Sequence, residues 1–144
     1  MLLSLKWLHK VDNKVNTALT SYIETEIIPL YDAFDKAHRR DHVLTVIEQS
    51  LSLAQYFDVD VNIVYTAAAF HDTGLSIDRK THHLESGRII REAQTLRQWF
   101  SEQEIETVYE DENAGSHYNT LKDSWRIFKI MGKAVFRRTK PWKR

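Results

Sequence analysis

Glycine and proline are scarce in this chain, four and two in 144 residues. A many-stranded sheet reverses direction roughly every 8–12 residues and draws on those two residue types to do so. The chain lacks that turn material, and an all-α fold is expected. Its length suits a single domain that buries one core without covalent staples. With 42% hydrophobic and 28% charged residues, it has the composition of an ordinary globular protein. Cysteine is absent, which excludes disulfides, thiolate zinc sites and thiol nucleophiles. The cytoplasm is the expected location. The opening MLLSLKWLHK is interrupted by Lys6 and followed by no small-residue cleavage site, so no secretory signal is expected. No stretch is long enough to span a bilayer.

A net charge of zero conceals an asymmetry. Residues 22–121 carry 18 Asp/Glu against 8 Lys/Arg, whereas residues 122–144 carry Asp123 against nine basic residues. The body is acidic and the tail basic. A basic tail can meet nucleic acid, though a solvated helix end explains the same charges.

Apolar spacing predicts about six helices in a bundle. The first covers 14–28, with Val15, Leu19, Tyr22, Ile23, Ile27 and Ile28 in register and Pro29 ending or kinking it. A second runs from about Arg40 to Phe57, its inner face built from Val43, Leu44, Ile47, Leu51, Ala54 and Phe57. Asp60 is the expected N-cap of a third, Val61 to about Phe70, which is apolar on most sides and belongs deep in the bundle. Thr73-Gly74 breaks it. Thr81 can cap a fourth through about Gln94, carrying Leu84, Ile89, Ile90 and Ala93, and Ser101 with Glu104 forms a capping box for a fifth. A sixth spans Ser124 to Phe136. Trp7, Trp99 and Trp125 are expected to pack rather than bind ligand. The domain is taken as 1–144, with its core at about 14–113 and a basic segment at 114–144.

Five of seven histidines fall between His38 and His83. His38 and His42 are four apart, so a helix beginning by His38 would set both rings on one face. His71-Asp72 closes the apolar run of the third helix. This pair offers a nitrogen and a carboxylate oxygen, a mixture suited to zinc, manganese, iron, cobalt or nickel and less to calcium. The structural alternative is that His71 packs in the core and Asp72 caps the next turn. His82-His83 heads the fourth helix. His9 and His117 have no partner spacing. No G-x-S-x-G elbow, P-loop, H-E-x-x-H or glycine-rich dinucleotide turn offers other machinery.

The strings AHRRDHV, AAAFHDTG and THHLESG, in that order over residues 20–113, resemble the HD superfamily of metal-dependent phosphohydrolases, which are all-helical. The resemblance implies that His42, His71 and Asp72 bind one metal ion. In the HD-GYP branch, positions matching His38 and His83, with Gly87 completing an H-x-x-x-G pattern, serve a further ion. One ion is therefore implied, and two are allowed. The pattern departs late. Family members close the first ion's shell with an aspartate on a late helix, often in a D-A-D-R or E-A-D-R string. Here Glu110-Asp111-Glu112-Asn113 is followed by no such string, and Asp123 is the remaining acidic residue.

Two histidines and one carboxylate leave room on an ion for water and a phosphoryl oxygen. Asp72 is thus expected as a ligand and as proton acceptor, and Arg79, Lys80 and Arg39, with Arg40, as counter-charges for a phosphate ester. The expected partner is a small phosphorylated molecule or nucleotide, with no membrane; a homodimer is compatible with the sequence. The rival reading is a binding module that keeps the bundle and part of the metal site without turnover.

Overall fold

This computed structural model describes residues 14–108, and all regular structure within them is helical. Asn16 starts α1 (Thr17–Tyr22), its side-chain oxygen accepting from the amides of Ala18 and Leu19. Pro29 changes the pitch of the helix rather than stopping it. Its ring has no N–H and crowds the carbonyl four residues back. The chain widens into a π turn at Ile23–Ile27, then tightens into a 3-10 stretch at Ile28–Ala33 with the proline at its start. This path buries Tyr31 completely.

The second helix, α2, is shorter than expected, Arg40–Ala54, and its buried face is Val43, Ile47, Ser50 and Ala54. That stripe is spaced four, three and four residues. Leu44 lies one residue further, about 100° around the axis, and is 47% exposed; Phe57 falls beyond the helix and is also exposed. The inner face proposed from sequence was too wide.

Asp60 caps α3 (Val61–Phe70) as expected, its carboxylate accepting from the Asn62 amide at 2.8 Å. Every residue of α3 except Asn62 is buried. It packs against α2, α5 and the π turn, so it is the central rod of the described part. Burial of Phe70 alone contributes about 1.5–3 kcal/mol.

After α3 comes a 3-10 turn, Thr73–Ser76, which lies directly on α4 (His82–Glu92). Gly74 makes that approach possible. A β-carbon there would stand 1.9 Å from the His82 carbonyl oxygen and 2.6 Å from the Ser86 nitrogen, both backbone atoms that cannot swing aside. Thr81 precedes α4, but its hydroxyl donates to Asp78 instead of capping. The buried face of α4 is Ser86, Gly87 and Ile90, with Leu84 turned outward. A 3-10 turn, Gln94–Gln98, then leads to α5 (Glu102–Val108). The expected capping box forms: the Ser101 amide donates to the Glu104 carboxylate at 2.8 Å, and the Glu104 amide donates to the Ser101 hydroxyl at 3.3 Å. Trp99 stacks on Tyr22. The helix expected at 124–136, Trp7, Trp125 and the basic segment lie outside the described residues. Among the described residues, no helix is long and apolar enough to cross a membrane.

Candidate metal centre

A helix leaves its last four carbonyls without partners, and at a buried end each must find one. At the end of α3 side chains supply all four. His71 Nδ1 donates to the Ala68 carbonyl at 2.7 Å, and the Tyr31 hydroxyl donates to that of Ala69 at 2.8 Å. Thr73 Oγ1 donates to Phe70 at 2.8 Å, and Ser86 Oγ to His71 at 3.0 Å. Two of these hydroxyls also accept: the Asp72 amide donates to Tyr31 at 3.2 Å, and the Gly74 amide to Ser86 at 2.8 Å. The backbone of residues 71–74 is thereby held from the 3-10 stretch before α2 and from α4. Burial, followed by the charge on Asp72, pushes the Tyr31 hydroxyl's pKa well above its ordinary value.

This turn aims His71 and Asp72 at His42, in the first turn of α2. His71 Nε2 is 3.0 Å from Asp72 Oδ2 and 3.3 Å from His42 Nε2; His42 Nε2 is 3.5 Å from Asp72 Oδ2. Because the Ala68 carbonyl only accepts, His71 Nδ1 carries a proton and the neutral ring keeps its lone pair on Nε2. Three electron-pair donors at such distances repel one another unless a positive charge lies among them. A proton serves in part; a divalent ion serves all three. Donors bound at about 2.1 Å to one ion stand about 3.0 Å apart in octahedral geometry and about 3.4 Å in tetrahedral geometry. Two of the observed separations, 3.0 and 3.3 Å, fall in that range, and the third, 3.5 Å, lies just above it. Burial opposes the charge on Asp72, but when the facing imidazoles are protonated, hydrogen bonds from His42 and His71 and the charges of His71 and His38 outweigh it and hold the carboxyl well below the usual range. The donor set fits a transition ion.

Residues 39–134, two thirds of the chain, match the model of the family described as HD domain. The chain belongs to that family. HD domains are generally metal-dependent phosphohydrolases, and His42, His71 and Asp72 form a group that could hold a metal ion. No curated protein and no solved structure matches the chain. The HD match begins one residue after His38 and extends through Asp123 into the basic segment, further towards the C-terminus than the resemblance over 20–113.

The other expected site residues of this HD domain divide into two sets. His38 does not share a helical face with His42, because α2 begins only at Arg40; it lies in the preceding turn, buried, its ring edge-on to His42 with centroids 5.9 Å apart. Its Nδ1 donates to Asp35 at 2.9 Å. His83 is in the first turn of α4, outside the group of donors that share a point. Its neighbour His82, also outside that group, faces Asp72: His82 Nδ1 donates to the Arg79 carbonyl at 2.9 Å, and Nε2 stands 3.7 Å from Asp72 Oδ1. The sequence pattern favoured His83 because it stands four residues before Gly87; which of two adjacent imidazoles turns inward depends on the phase of a helix start.

Arg79, expected to meet substrate, is bonded to Asp35. Arg40 is held by both oxygens of Asp32, at 3.0 and 2.6 Å. Arg39 lines an open groove with Asp32, Arg40, Asp41 and Leu44. The backbone amide of Lys80 donates to Asp78. Asp123, Glu110–Asn113, His9 and His117 lie outside the described residues. Sequence reasoning missed Tyr31, Ser86 and Asp35, whose roles depend on partners 3 to 44 residues away.

Proposed function

We infer that this HD domain hydrolyses a phosphate ester, a nucleotide among the candidates, using a divalent transition ion (manganese, iron, nickel, cobalt or zinc) held by His42, His71 and Asp72. The observation that carries the reading is the convergence of two imidazole nitrogens and one carboxylate oxygen at 3.0–3.5 Å, with the His71 tautomer set by the Ala68 carbonyl. A bound ion of this class acidifies water and polarises a phosphoryl oxygen.

The chain supplies the rest. Asp72 turns Oδ2 to the imidazoles, leaving Oδ1 on the side of His82 to receive a proton from the attacking water. His82 Nε2 faces that same oxygen and is placed to steady the proton or a phosphoryl oxygen. Lys80 and Arg39 are the proposed counter-charges for the ester, and Asp123 the proposed carboxylate that closes the shell. A second ion is assigned to neither His38 nor His83 in this reading.

Elemental analysis of the purified full chain, followed by hydrolysis of nucleoside monophosphates and a generic phosphate ester with added Mn2+, Co2+ or Ni2+, tests the proposal. About one transition ion per chain is expected, with activity reduced at least about 100-fold in His71→Ala. Protein with neither metal nor activity contradicts the reading. Metal without turnover on any ester favours the binding module.

A further inference from the structure

Asp35 lies in the turn between the 3-10 stretch and α2, and it touches three groups at once. Its Oδ1 accepts from the Ala37 amide and from His38 Nδ1, each at 2.9 Å, and its Oδ2 receives the Arg79 guanidinium. The amide bond closes an Asx turn, which presents His38 to the carboxylate. The guanidinium arrives from the loop before α4, 44 residues away, so one carboxylate joins the two segments that carry His38 and His82. A carboxylate can only accept, and this one therefore requires a proton on His38 Nδ1. In the neutral ring the lone pair then lies on Nε2; the residue is 5% exposed, and its ring stands edge-on to His42.

The same device acts on two other imidazoles. His71 Nδ1 faces the Ala68 carbonyl, and His82 Nδ1 faces the Arg79 carbonyl. In those two the acceptor is backbone and cannot be removed by substitution. In His38 it is a side chain.

We propose that Asp35, clamped by Arg79, is a positioning residue that fixes His38 as the Nδ1–H tautomer and so keeps a basic nitrogen beside the His42–His71–Asp72 cluster. The proposal rests on the metal reading for its purpose, but not for its test. An oriented hydrogen bond behind an imidazole raises its basicity and fixes its ring.

The full chain labelled with 15N-histidine is compared with Asp35→Ser and Asp35→Asn at about pH 8, where exposed imidazoles are neutral. Long-range proton–nitrogen correlation reads which nitrogen carries the proton, and His38→Gln identifies the His38 signals. Serine can still close the turn to Ala37 but is too short to reach the ring; asparagine keeps the length and an acceptor oxygen. His38 should be Nδ1–H in the wild type and in Asp35→Asn, and should move to Nε2–H or a mixture in Asp35→Ser, with His71 signals unchanged. Mn2+ binding to the wild type is measured in parallel. An unchanged His38 tautomer in folded Asp35→Ser overturns the proposal, as does a wild-type His38 protonated at Nε2. Should the wild type bind no Mn2+, the metal reading fails, and the tautomer measurement still decides the role of Asp35.

Discussion

His71 and His42 reach the same point from opposite kinds of structure. His71 stands at the end of a helix buried on nearly every side, where four carbonyls are satisfied by four side chains and no solvent is needed. His42 stands in the first turn of a helix whose approach is solvent-facing, with Arg39 as a cap that makes no side-chain hydrogen bond and with ion pairs, Asp32–Arg40 and Asp35–Arg79, at the surface. One half of the cluster is rigid because its polar groups are buried and paired. The other is anchored in the core by Val43, but the charges that flank it are exposed, contribute little individually and are screened by salt. Geometry set on the α3 side and adjustability left on the α2 side would let the cluster close around an ion without rebuilding the core.

Substitution at Gly74 should break the rigid half most severely. Gly74→Ala places a methyl group within 1.9 Å of the His82 carbonyl, which requires α4 to move off the turn. The expected cost is about 3 kcal/mol or more, read as a lower urea midpoint. An alanine variant as stable as wild type would mean that α4 does not sit on the turn.

Metal binding should draw the two halves together. An ion that binds the folded cluster and not the unfolded chain stabilises by about 2.7 kcal/mol at 100 times its dissociation constant. The melting temperature should therefore rise with added Mn2+ and fall back with a chelator. His71→Ala should abolish the rise.

Tyr31→Phe sharpens the comparison without emptying space. It leaves the Ala69 carbonyl and the Asp72 amide buried and unpaired, at a cost of about 1–3 kcal/mol. A neutral result in denaturant unfolding would place water at the end of α3.

The smallest effect belongs to the exposed side. The hydrogen bonds and charge of Arg40 hold the Asp32 carboxyl below its usual range. A carboxyl with a folded pKa below its unfolded one contributes stability above the ordinary carboxylate range, and that contribution fades as pH falls. Asp32→Asn should thus lower the unfolding midpoint slightly at pH 7, and the gap from wild type should close under acid. A gap that widens in acid would reverse the sign and remove Arg40 as the cause.

Local signals were legible in the sequence. The Asp60 cap, the Ser101–Glu104 box and the break at Thr73-Gly74 each concern residues within four positions of one another, and each forms as expected. The His71-Asp72 pair was legible because a buried helix rarely ends in two ionisable groups without use for them. Other errors were of phase and distance. Leu44 and Phe57 were assigned to the inner face of α2, yet Leu44 lies one helical step outside it and Phe57 beyond its end, and nothing local marked His82 as the imidazole that faces Asp72. Tyr31, Asp35 and Ser86 carried no motif at all; Tyr31 and Ser86 become important only when the chain returns to them 12 to 41 residues away.

The most direct test is diffraction from crystals of the full chain soaked in Mn2+, with data collected to show anomalous scattering from the ion. A peak about 2.0–2.3 Å from His42 Nε2, His71 Nε2 and an Asp72 oxygen is the expected result. A cluster that keeps its 3.0–3.5 Å separations with no peak among those atoms, or a peak bound elsewhere, would contradict the account.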